Sequence, residues 1–170
     1  MNDLGKQQYF FNWNNNEPGN KKNKDEDGVE MYLTGTEKQN GRWNDKTTDQ
    51  YNQARKLAQS TNNLVVCTFT VPDSEPASEC GYGWEAHETS EGRKCLQINK
   101  GEYKIQTAID MCNSQDAQLV QPKNDADNKL YADLIGYNKH DLWIAGYCTK
   151  SGKLCNKLIN TETYRTSRID

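Results

Sequence analysis

A chain of 170 residues is long enough for one ordinary domain, or for one compact domain with tails. Apolar residues make up 34% and mean hydropathy is -1.07, so the core is small, the surface very polar and the fold marginal without covalent staples. A net charge of -3 with mixed signs excludes any general attraction for nucleic acid or anionic lipid.

Six cysteines can supply the staples. None stands in the C-x-x-C spacing of zinc or thioredoxin-like chemistry, and with His87 and His140 as the two histidines a zinc cage is not expected. The cysteines are read as disulfides, which points to an oxidising compartment. No run is long enough to cross a membrane, and "MNDLGKQQYFF" shows no basic segment followed by an apolar core. A disulfide-bonded chain with no visible export signal is expected to be an excised piece of a longer, extracellular or secreted protein.

Along the chain, "EPGNKKNKDEDGVEMY" (Glu17 to Tyr32) places acids beside lysines and reads either as a solvated loop or as a cation site. "MYLTG" and "GRWND" predict a strand, a turn and a second strand. "TTDQYNQARKLAQS" (Thr47 to Ser60) has Tyr51, Ala54, Leu57 and Ala58 at helical spacing, with Asp49 as a cap, and predicts a weak amphipathic helix. "NLVVCTF" (Asn62 to Phe69) is a short β-rich run. Prolines, serines and acids then replace patterned sequence in "TFTVPDSEPASEC" (Thr68 to Cys80), the signature of an exposed linker.

Beyond the linker, Ile105, Ala108, Ile109 and Cys112 recur at i, i+3, i+4 and i+7, which predicts one buried helical face. Asp125, Ala126, Leu130, Leu134 and Ile135 outline a second helix, with Asn124 or Asp125 near its start and Gly136 at its end. "DLWIAGY" (Asp141 to Tyr147) reads as a buried strand. The class is therefore α+β, with helices segregated from antiparallel sheet. Trp43 and Trp143 are expected as core anchors, Trp13 as a packed loop residue or a sugar-stacking one, and His87 and His140 as exposed residues.

These segments resemble a C-type lectin-like domain whose halves come in reversed order. "CGYGWEAHETSEGRKC" (Cys80 to Cys95) is similar to the amino-terminal hairpin of the family's long form, "AIDMCNSQDAQLV" to its first helix, and "LWIAGY" to its Trp-Ile-Gly-Leu strand. "NWNNNEPGN", "EDGVEM", "GRWND" and "VVC" are similar, in that order, to its Glu-Pro-Asn loop, Glu-Asp-Cys segment, Trp-Asn-Asp strand and terminal cysteine. Residues 1–67 then correspond to a carboxyl half, 68–79 to a linker, 80–147 to an amino half and 148–170 to a loop and tail. Either a piece of tandem domains or a circular permutation gives this order. The family's chain ends lie side by side, and twelve extended linker residues reach at most roughly 40 Å, so the halves are expected to complement each other, within one chain or by exchange between two.

The resemblance implies a C-type lectin-like fold, two helices against antiparallel sheets with a long irregular loop region. It implies disulfides Cys67–Cys112 and Cys80–Cys95, and with them a local pair Cys148–Cys155. The family's second internal disulfide has no counterpart, since Gly28 and Thr48 stand where its cysteines would. It also implies a calcium site that doubles as the carbohydrate site, held by Glu17, Asn20, Glu26, Asn44 and Asp45; oxygen donors of this kind suit calcium. Glu-Pro-Asn stands here as Glu-Pro-Gly-Asn: Gly19 is either an extra residue, which restores the place of Asn20, or a replacement that removes one ligand. Pro18 is expected to be cis, and Lys21, Lys22 and Lys24 to point to water. The Glu-Pro-Asn-like form implies mannose-type hydroxyl geometry.

The functional expectation is calcium-dependent binding of carbohydrate or glycoprotein, without chemistry, without nucleic acid and without membrane insertion in this segment. A calcium-independent protein-protein interaction module of the same fold, or an incomplete gene fragment, are the alternatives. No Ser/His/acid or Cys/His arrangement and no glycine-rich phosphate loop supports an enzyme, and the Glu17 and Glu26 pair alone carries no glycosidase signature.

Overall fold

The computed structural model describes residues 10–19, 26, 28–33, 39–46, 63–72, 80–136 and 140–147. In chain order these form β1 (Gly28–Met31), β2 (Trp43–Lys46), β3 (Asn63–Thr70), β4 (Glu85–Thr89), β5 (Gly92–Tyr103), α1 (Ile105–Asn113), β6 (Gln118–Leu119), α2 (Asp125–Ile135) and β7 (Leu142–Tyr147). The helix expected at Thr47 to Ser60, the pair Cys148–Cys155, Thr48 and the lysines of the charged loop lie outside the described residues.

The sheet runs β2-β1-β7-β3-β5-β4, with β6 paired to β3. Strands from the front of the chain alternate with strands from the rear: β1 pairs β7, and β3 lies between β7 and β5. The two halves thus complete each other within one chain. A disulfide joins Cys67 of β3 to Cys112 of α1, and a second joins Cys80 to Cys95.

One expectation about the sheet is corrected. It is mixed rather than antiparallel, because β3 and β7 run parallel through the Leu64 and Leu142 register. Those two strands belong to different halves, and no tight turn connects them to impose opposite directions.

β3 is buried from Asn63 to Thr68, as a strand covered on both faces should be. Ile105, Ala108, Ile109 and Cys112 of α1 pack with Val65, Cys67, Leu119 and Trp143. Burying Ile105 and Ile109 stabilises by roughly 1.5–3 kcal/mol each. A second cluster collects Met31, Leu33, Trp43, Val66, Leu96, Tyr131 and Ile144 on the other side. Trp43 and Trp143 are both buried core anchors.

The second helix starts and stops as its capping residues dictate. Asn124 accepts from the Asp127 N–H, and Gly136 adopts φ 68°, the left-handed region that favours glycine. Its buried face, however, carries Asp127, Asn128, Tyr131 and Ala132, whereas Ala126 is exposed and Leu130, Leu134 and Ile135 are half-buried. The polar pair is tolerated because it is hydrogen-bonded. Asp127 accepts from Ser90 N–H and Lys123 N–H, fastening the β4–β5 turn, while Asn128 serves Trp43 and Gly41.

The linker expectation meets the strand. Thr68 to Thr70 are the last residues of β3, Val71 N–H donates to Arg93 O at 3.0 Å, and Cys80 is tied to Cys95. Both ends of the join are therefore held by one short stretch of β5. The histidines expected to be exposed are half-buried: His140 Nε2 lies 2.8 Å from Glu102 Oε1, and His87 Nε2 3.5 Å from Glu85 Oε2. The His140 contact is within hydrogen-bond distance, whereas His87 Nε2 is a buried atom with no hydrogen-bond partner among the described residues. No helix among the described residues is long and apolar enough to cross a membrane.

Candidate functional site

β2 is an edge strand, and its outer side is covered by the segment that precedes the charged loop. Trp13 and Trp43 form a parallel bridge; Trp43 N–H donates to Asn12 O at 2.8 Å, and Asn14 N–H to Trp43 O at 2.9 Å. Aromatic packing sets this register. Phe10, Phe11 and Trp13 meet Trp43 with ring centroids 5.5, 6.5 and 5.8 Å away, and Trp13 also stacks on Phe11. Trp13 is thus a half-buried, packed loop residue.

The chain then turns away from β2. Asn16 takes a left-handed φ of 65°, Glu17 N–H returns to Asn14 O at 3.0 Å, and the Glu17–Pro18 peptide is cis. Gly19 N–H donates to Asp45 Oδ1 at 2.8 Å. A Cβ on Gly19 would lie 2.7 Å from Glu17 Oε2, so the Glu17 carboxylate rests on the glycine. Two carboxylates, from residues 28 positions apart, thereby meet one backbone unit.

On β2, neighbouring residues face opposite sides of the sheet. Asp45 shares the face of buried Trp43, and Asn44 the face of Glu30, its cross-strand partner. A cation reached by both must therefore sit at the open edge of the strand. The outward N–H and C=O of Trp43 are taken by residues 12 and 14, and in an antiparallel ladder that outward direction recurs two residues on, at Asp45.

Glu30 was not singled out by sequence reasoning. It is fully buried, and its carboxylate accepts from Asn44 Nδ2 at 2.9 Å and Asn63 Nδ2 at 2.7 Å, with Lys46 Nζ 2.9 Å away. Burial raises its pKa, and Lys46, Asn63 and Asn44 oppose that rise. The available signal was a lone acid inside "VEMY" directly across from "WND".

Burial, and then the charges of Glu30, Glu17, Asp141 and Asp45, push the Tyr32 hydroxyl up to about 12. Acids from the loop, from β1, from β2 and from the approach to β7 thus add to burial at this one hydroxyl. Asp141 also accepts from Leu33 N–H at 2.9 Å, holding β1 to β7. Glu26 is buried at 9% exposure, and Asn20 lies outside the described residues.

Of the expected donors, the structure brings Glu17 and Asp45 to Gly19 and places Asn44 next to Asp45 on the same edge. All are oxygen donors, which fits a hard cation such as calcium. Among the described residues no group of three or more His, Cys, Asp and Glu side chains gathers as a metal site. A shell of six to eight oxygens here has to draw on amide and backbone oxygens, water and ligand hydroxyls as well as carboxylates.

No family model, no curated protein and no solved structure matches this chain.

Proposed function

We propose that this chain is a C-type lectin-like recognition domain that works outside the cell and binds mannose-type carbohydrate, free or on glycoproteins, through calcium. The hydrogen bond from Gly19 N–H to Asp45 Oδ1 carries the reading, because it pins the Glu-Pro-Gly turn to the Trp-Asn-Asp strand and brings the Glu17 and Asp45 carboxylates together. Glu17, Asn20, Glu26, Asn44 and Asp45 are the residues proposed to hold the ion and to hydrogen-bond the sugar. Calcium, when bound, supplies coordination positions for two adjacent sugar hydroxyls. The protein's own part is to hold acceptors at the sheet edge, where Gly19 N–H fixes the Asp45 carboxylate and the Glu17 carboxylate rests on the same residue.

Thermal unfolding in calcium and then in chelator tests the metal. A ligand that binds only the folded form stabilises it by about 2.7 kcal/mol at a hundred times its dissociation constant. Retention on mannose-agarose, abolished by chelator, tests the sugar. A second reading, calcium-independent contact with protein, is favoured by the lack of a three-residue acid, His or Cys cluster among the described residues. No calcium shift and no retention would replace the lectin reading with that one.

A further inference from the structure

We propose that Glu30 is a positioning residue for Asn44, fixing its carboxamide so that the nitrogen faces into the sheet and the carbonyl oxygen faces away from it. The inference rests on the calcium reading above and names the group that prepares one of its ligands.

A carboxylate only accepts, whereas an amide can present either a donor or an acceptor. Glu30 has no solvent around it: it is fully buried in β1, across from Asn44. Its Oε1 receives Asn44 Nδ2 at 2.9 Å and lies 2.9 Å from Lys46 Nζ; its Oε2 receives Asn63 Nδ2 at 2.7 Å. Turning the Asn44 amide over would set its oxygen against this carboxylate, two acceptors with no proton between them, in a place where water cannot intervene. The amide is therefore locked. Its Oδ1, diverging from Nδ2 at the same carbon, is directed away from Glu30.

Lys46 completes the device. Without it Glu30 would be an uncompensated negative charge inside the sheet, and with it the lysine's ammonium is drawn to Glu30. Asn63, from β3, fills the other oxygen and stops the carboxylate from rotating. The arrangement is that of an outer-shell partner orienting a metal ligand, a role whose removal weakens metal binding by about 10–100-fold.

The test is a calcium titration by calorimetry of the wild type, E30Q and the double variant E30Q/N44D. The amide introduced by E30Q can meet either end of the Asn44 side chain, so affinity should fall about 10–100-fold while circular dichroism stays that of the folded chain. In the double variant the side chain at 44 carries two equivalent oxygens and needs no orienting, and the new amide donates to it; affinity should return towards the wild-type value. N44D alone measures the effect of the added charge, and a merely structural role for Glu30 would leave E30Q/N44D as far below N44D as E30Q lies below the wild type.

Wild-type affinity in E30Q, or no recovery in the double variant measured against N44D, overturns the proposal. A wild type that binds no calcium overturns the calcium reading instead. The positioning claim is then decided by the side-chain amide protons of Asn44 in metal-free protein, read by nuclear magnetic resonance. Protection from exchange, and shifts typical of charged acceptors, support it; fast-exchanging, solvent-like amide protons overturn it. That measurement also decides the matter should E30Q fail to fold.

Discussion

The indole N–H of Trp43 donates to Asn128 Oδ1 at 2.8 Å, and Asn128 Nδ2 donates to Gly41 O at 3.0 Å. One buried side chain of α2 thus ties down both the turn before β2 and the anchor of its aromatic cluster. N128A would leave Trp43 Nε1 without this partner, at about 1–3 kcal/mol for a buried group so abandoned, whereas Gly41 O keeps Asn12 Nδ2 at 2.8 Å. Urea denaturation should show a loss of about 1–3 kcal/mol, with unchanged calcium response once corrected for stability.

The Cys67–Cys112 disulfide spans 45 residues and links the front half to the rear. On the chain-entropy model its loss costs about 4 kcal/mol. C67S/C112S should unfold at markedly lower urea than the wild type. Peptide mapping of the oxidised protein should recover these two positions in one linked fragment; any other partner for Cys67 contradicts the packing of α1 on β3.

G19A probes the candidate site with little collateral damage. The added methyl would lie 2.7 Å from Glu17 Oε2, the mobile end of a flexible side chain, so the carboxylate moves aside rather than the backbone. Stability should change by about 0.5 kcal/mol or less. Calcium affinity should drop at least several-fold, and an affinity equal to wild type would separate Glu17 from the ion.

Tyr32 offers an internal reporter. Burial, and the acids Glu30, Glu17, Asp141 and Asp45, raise its hydroxyl from 10.0 to about 12. The folded state therefore holds this proton more tightly than the unfolded one. Its contribution to stability is complete below pH 10.0 and is lost as pH rises towards 12. Burial pushes the Tyr131 hydroxyl up as well, so ultraviolet titration in a Y131F background should show Tyr32 as the late-ionising tyrosine. Calcium bound beside Glu17 and Asp45 would offset part of their charge, and the late titration should move down; E17Q should move it down without metal.

Much of this architecture is written in local pattern. The face of α1 follows from the spacing of Ile105, Ala108, Ile109 and Cys112, and the ends of α2 from Asn124 and Gly136. The buried face of α2 was less legible, since Asp127 and Asn128 are polar and lie inside because Ser90, Gly41 and Trp43 meet them from distant positions. Glu30 escaped notice for the same reason: between Val29 and Met31 an acid reads as an outward residue of an alternating strand, and its partners Asn63 and Lys46 come from other strands. Of the site, the Trp-Asn-Asp strand and the Glu-Pro turn could be read directly. That Gly19 ties them together is a tertiary fact.

The alternation of front and rear strands in the sheet has a consequence for synthesis. β1, β2 and β3 leave the ribosome first, yet β3 finds no neighbour until β5, β6 and β7 have followed, and β1 must await β7 on one side. The nascent front portion consequently carries a hydrophobic ribbon, "LVVCTF", with both hydrogen-bonding edges open until β5 is made and the other edge incomplete until β6 and β7 follow. Late commitment of the sheet is the kinetic corollary of a domain whose middle strand is made before its flanks.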